Sequence, residues 1–262
     1  MFLRALASEW LKQRRTPALW LTLLFPLACM LGMGWYLTVS YRLDWNNMLQ
    51  FTFGAWLSLW PAGGVALQAA LAANLDMQEN NWQALLVRPV APAMLLGAKF
   101  LVQAAHLLIH TLILSVVLVL AGVLLHVQGA VPWNVILLLG LGTALFTLPL
   151  QVLYMWAATA KGMGMAIGLG AVGLLLGPLL GATSMGESVW VYIPWAWPLR
   201  LYMLLTAIWS EFHGDFTTPS VQPGLHLIYA VFVATLFLLL AVVLASLLWF
   251  ERREQGNVIH SA

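Results

Sequence analysis

His106 and His110 stand one helical turn apart inside an apolar run, with Gln103 one turn before them. At i, i+3 and i+7 the three residues fall on one face of a helix. Neutral imidazoles at this spacing can converge on a metal or a haem iron, the chemistry of a membrane enzyme or a haem protein. No carboxylate or thiolate accompanies them nearby, and Cys29 is the only cysteine, so the usual companions of a metal site are missing. A second polar stripe, Thr143, Thr147 and Gln151, recurs at i, i+4 and i+8. In a membrane such stripes face the bundle interior. Hydrogen bonding between helices, at about 1 kcal/mol per pair, is the reading favoured for both.

Other catalytic arrangements do not occur. There is no G-x-x-x-x-G-K-S/T, so this chain cannot cradle nucleotide phosphates on a P-loop. Apolar segments carry no H-E-x-x-H, paired carboxylates or Ser/His/Asp set, and every acidic residue falls in a loop or tail. A proton-driven carrier would want an ionisable acid inside its bundle. The chain is therefore not expected to be an enzyme, to hold a cofactor or a metal, or to meet nucleic acid.

The elements that position these residues follow from composition. The 262 residues are 62% hydrophobic and 8% charged, where a soluble domain carries roughly 25% charged residues. Apolar blocks of about 20 residues or more suit bilayer crossing. Six spans are expected, at about 18–41, 48–73, 100–125, 133–159, 163–183 and 225–250, forming one transmembrane domain over 1–262. With both termini cytoplasmic, nine cations (Arg4, Lys12, Arg14, Arg15, Arg88, Lys99, Lys161, Arg252, Arg253) lie inside and two, Arg42 and Arg200, outside. Trp20, Trp35, Trp45, Trp133 and Trp249 fall near span ends, where an amphipathic ring fits the headgroup region; Trp56 and Trp60 lie deeper, where they can pack between helices. The Pro26-Leu27-Ala28-Cys29 stretch is a poor lipidation site, and its apolar run is too long for a cleaved signal peptide.

Between and before the spans, several segments could carry mechanism. Phe2, Leu3, Leu6, Ala7 and Trp10 recur at helical spacing, with Arg4, Glu9, Lys12, Gln13, Arg14 and Arg15 as a charged complement. This describes an interfacial helix over 1–16, in contact with membrane lipid, that turns into the first span where Thr16 caps and Pro17 opens a new helix. A plain basic anchor that sets topology reads equally well. After the second span, Trp82, Leu85 and Leu86 form an apolar patch on a short cytoplasmic helix stopped by Pro89 and Pro92. Either a partner's groove or the membrane surface would cover it. The stretch from Trp190 to Trp209 is too apolar for a solvated loop and too proline-broken for a full span, which suits a re-entrant hairpin or an interfacial helix. Glu187, Glu211 and Asp215 outweigh Arg200 there, so the outer surface is slightly acidic. Small residues at Gly164 and Gly168, and at Gly173, Gly177 and Gly181, allow close helix approach within the chain or across a dimer.

Three of these stretches resemble the ABC type-2 exporter permease family. Glu79, Asn80, Asn81, Trp82, Leu85, Leu86, Pro89, Val90 and Lys99 match the segment that docks on the nucleotide-binding subunit. Glu9, Trp10, Leu11 and Lys12, with Trp20 through Pro26, resemble its elbow helix and first span. The run from Tyr192 to Arg200, with Trp195 and Trp197, resembles the outer loop of the branch linked to lantibiotic and bacitracin self-protection. The resemblance implies a permease subunit of the bacterial cytoplasmic membrane, paired with a second copy or a sister permease. A separate ATPase would supply ATP and Mg, and would push on the helix around Glu79, Asn81 and Trp82. The implied cargo is an amphipathic peptide, with Gln103, His106, His110, Thr147, Gln151, Trp195 and Trp197 as candidates for its path. Other cargoes (a drug, an envelope precursor, haem, a metal-centre maturation factor) and a non-transporting peptide sensor remain alternatives.

Overall fold

A computed structural model describes residues 2–14, 16–40, 44–78, 92–213, 229 and 232–246. Helix α1 (Phe2–Gln13) leads into α2 (Pro17–Ser40). The new helix opens at Pro17 directly after Thr16, as expected, while the Thr16 hydroxyl donates backward to the Gln13 carbonyl at 2.8 Å, closing α1. Helix α3 (Trp45–Leu59) is capped by Asp44, whose carboxylate accepts from the Asn47 backbone N–H at 2.7 Å. It continues through a π turn (Trp60–Gly64) into α4 (Val65–Gln78). Pro61 cannot donate in the i to i−4 ladder, and the wider turn absorbs the missing bond. Gly64 is required beside it, because a Cβ there would collide with the Trp60 ring.

Helix α5 (Pro92–Leu124) follows, then α6 (Trp133–Lys161) and α7 (Met163–Ala182). Only Gly162 separates the last two, at a φ of 91° that favours glycine. Three 3-10 turns, Ser184–Gly186, Trp190–Tyr192 and Pro194–Ala196, lead into α8 (Trp197–His213). An apolar helix α9 (Phe232–Ser246) completes the described elements.

Five described helical stretches are long and apolar enough to cross a membrane: Pro17–Tyr36, Trp45–Leu75, Met94–Leu124, Trp133–Lys161 and Met163–Ala182. They coincide with the first five expected spans, with shifted ends. The third begins inside the segment assigned to the preceding loop, since its helix starts at Pro92 rather than near residue 100. Parts of the sixth expected span, 225–250, lie outside the described residues. Helix α6 is central, packing on α4, α5, α7 and α8. Trp56 and Trp60 are fully buried and stacked at 4.9 Å, as their depth suggested. Trp45 stands at the start of the second candidate span, as expected, and is buried there, its ring lying where a side chain at Gly122 would go.

Candidate functional site

Helix α1 carries its polar residues inward. Ala5, Glu9 and Gln13, spaced one turn apart, are its buried residues, while Leu3 and Leu11 are exposed. This corrects the expected arrangement, in which Glu9 and Gln13 belonged to a water-facing complement. The reason is α5, which packs along α1. One Glu9 oxygen accepts from Lys12 Nζ at 2.6 Å, and the other lies 3.6 Å from Lys99 Nζ. The Trp10 ring stacks on the His106 ring at 5.0 Å and 27°. Gln13 lies one turn beyond Glu9 on α1, and Gln103 one turn beyond Lys99 on α5. Both carboxamides are buried with no hydrogen-bond partner among the described residues, an arrangement that costs about 1–3 kcal/mol per group.

The α5 stripe is buried as expected, with Gln103, His106 and His110 each 2% exposed or less. His106 Nδ1 lies 2.8 Å from the Val102 carbonyl of its own helix. His110 meets the Trp60 ring edge-on at 4.4 Å, and both of its nitrogens lack a partner among the described residues. On α6, Thr143 donates to Gly140 at 3.0 Å and Thr147 to Thr143 at 2.7 Å. Gln151 is buried and unpartnered among the described residues. Among the described residues these stripes make no hydrogen bond between helices. Threonine hydroxyls reach their own helix's carbonyls more readily than a neighbouring helix. Among the described residues no three His, Cys, Asp or Glu side chains gather closely enough to hold a metal ion.

Side-chain bonds between elements form at residues outside these stripes: Gln68 Nε2 donates to the Thr22 hydroxyl at 3.4 Å, joining α4 to α2, and a second bond involves Tyr154, which sequence reasoning had not singled out. Tyr154, one turn beyond Gln151, is fully buried, and its hydroxyl accepts from the Trp195 indole N–H at 2.8 Å. The i, i+4, i+7 continuation of the Thr147 and Gln151 stripe was the available signal. Trp195 gets there because the turn that bears it folds back along α7. Its ring lies against Gly173 and its carbonyl 3.2 Å from the Cβ position of Gly177. Trp197 points elsewhere, donating to the Val191 carbonyl at 2.9 Å and packing in a cluster with Phe146 and Leu201.

The remaining candidates, Glu79, Asn81, Trp82, Leu85, Leu86 and Pro89, lie outside the described residues. Helix α5 begins directly after them, so Lys99 sits two turns into the first described element that follows. A family model described as ABC-2 family transporter protein matches residues 5–177, from α1 to the last turns of α7. Comparison with curated proteins and with solved structures gave no match.

Proposed function

The chain belongs to the ABC-2 transporter family, and from that premise we propose that it is an export permease moving an amphipathic peptide out of the cytoplasmic membrane. Membership makes it a multi-pass membrane component that works with an ATPase rather than a catalyst itself. The proposal adds where force enters and what is moved. The carrying observation is the Glu9 contact to Lys99, at 3.6 Å, backed by the Trp10–His106 stack. It ties the elbow helix to the helix that directly follows the ATPase-docking segment.

A push on the helix around Glu79, Asn81 and Trp82 would reach α5 at Pro92 and pass through Lys99 to α1. ATP and Mg belong on the partner subunit, and two permease halves would rock about their interface as the ATPase closes. The buried polar atoms of Gln103, His110 and Gln151 are the groups a peptide backbone could satisfy along the path. An acidic outer surface suits a cationic peptide: Glu187 is exposed while Arg200 is buried.

Co-expression with the genes that neighbour its own tests the docking claim. The chain should co-elute with an ATPase, and Trp82→Ala combined with Leu85→Glu should abolish co-elution; absence of any ATPase, or its retention by the double variant, overturns the claim. Growth protection against a panel of cationic peptides, compared with uncharged drugs, tests the cargo.

A further inference from the structure

We propose that Arg200 is the anchor of a phosphate-binding site for a membrane phospholipid, at the end of the bundle away from the α1–α5 seam. Arg200 lies in the first turn of α8 and is only 4% exposed. A guanidinium carries five N–H donors in a planar fork. Its protein contacts are few: Nη1 is 3.5 Å from the Gly181 carbonyl, and the guanidinium carbon lies 5.7 Å from the centre of the Trp190 ring. No carboxylate lies within ion-pair distance of it among the described residues. A buried cation without a counter-charge is costly, and it persists where an anion completes it.

Position selects the anion. Gly181 is in the last turn of α7, one of the five helices long enough to cross the bilayer, so Arg200 sits at the level where hydrocarbon gives way to headgroups. The neighbouring turns put the buried Trp190 and Trp197 beside it, while Tyr192 is 83% and Met185 70% exposed. That mixture of tryptophan, tyrosine and apolar side chains is what an interfacial belt presents. Phosphate matches the arginine fork in shape and charge, and a bidentate contact leaves the Trp190 face in place. A phospholipid would bring the phosphate to this depth with its acyl chains against the exposed apolar faces of the bundle. The inference rests on the chain spanning the membrane and is independent of its cargo and its ATPase.

The purified chain in detergent is titrated with phosphatidylglycerol and, separately, with a diacylglycerol of the same acyl chains, bound lipid being counted by native mass spectrometry. Phosphatidylglycerol should be retained and diacylglycerol should not. Arg200→Gln should weaken phosphatidylglycerol binding by about tenfold or more, the loss of one charge-assisted contact. Arg200→Lys, which keeps the charge and loses the fork, should fall between, and it provides the folded comparison if the glutamine variant does not elute as a single species. Equal retention of the two lipids, or equal retention by wild type and both variants, overturns the proposal. Inorganic phosphate is added as a competitor. Displacement of phosphatidylglycerol at millimolar phosphate would make free phosphate the ligand and overturn the lipid assignment. Co-elution with the ATPase should be unchanged in the Arg200 variants, so failure here is distinguishable from failure of the docking claim.

Discussion

The two ends of the bundle are held by different physics. At the α1–α5 seam the contacts are an ion pair and a ring stack, and each helix also buries a carboxamide, Gln13 and Gln103, without a partner among the described residues. At the α7 seam, glycines let backbone and rings come into direct contact. Gly170 faces the Ala62 carbonyl and the Ala66 methyl, Gly173 faces Trp195 and Ala62, and Gly181 faces Ala196 and Leu199. A seam of close-packed backbone has one arrangement, since any shift meets repulsion at once. Polar contacts on long side chains can be exchanged for others over a displacement of an ångström or two. The contrast fits a molecule that is worked from the α1 end and holds its shape at the other.

The sharpest way to break this contrast is to overfill the glycine seam. A Cβ at Gly170 would already lie 2.8 Å from the Ala62 carbonyl oxygen. Gly170→Val should therefore cost about 3 kcal/mol or more, read as a lower midpoint of thermal unfolding in detergent; an unchanged midpoint would show the seam is not rigid. Tyr154→Phe comes next. It leaves the Trp195 indole N–H buried without its acceptor, at about 1–3 kcal/mol, measurable by tryptophan fluorescence during unfolding.

Glu9→Gln should be milder for stability, about 1 kcal/mol. The amide can still accept a hydrogen bond, and the lysine stems can carry their charges to water. Its larger effect should fall on coupling, as a loss of permease-dependent stimulation of the partner ATPase with the unfolding midpoint nearly kept. A midpoint lowered as far as in Gly170→Val would erase the proposed difference between the ends. The smallest effect is expected from Gly168→Ala, where a Cβ would meet nothing within 4 Å. Better helix propensity should stabilise by up to about 1 kcal/mol. A marked loss instead would place a partner on that face.

Much of the fold was legible because span length and apolarity are properties of local composition. Blocks of leucine, valine and alanine predicted α2 to α7 to within several residues, and the depth of Trp56 and Trp60 predicted their burial. The elbow helix was legible as an element, and its facing was not. Arg4, Glu9 and Lys12 look like one solvated set in a helical projection, whereas Lys99 draws Glu9 to the opposite role. Trp45 lies at a span end, as expected, and its burial comes from the gap at Gly122 on α5, which receives it. The stripe of Thr143, Thr147 and Gln151 was read correctly as interior. Its two threonines bond within their own helix, because a threonine's i−3 and i−4 carbonyls lie close at hand.

The sequence by itself determined that this is a helical membrane chain, that no G-x-x-x-x-G-K-S/T occurs in it, and which faces of α5 and α6 turn inward. Each of these depends on residue type and on spacing within one segment. Only the tertiary structure decided that Glu9 meets Lys99, that Trp195 reaches Tyr154 and Gly173, and that Arg200 is buried with so few contacts. Those pairings join residues distant in the chain. They depend on how two surfaces fit once the whole bundle is packed, which no local pattern encodes.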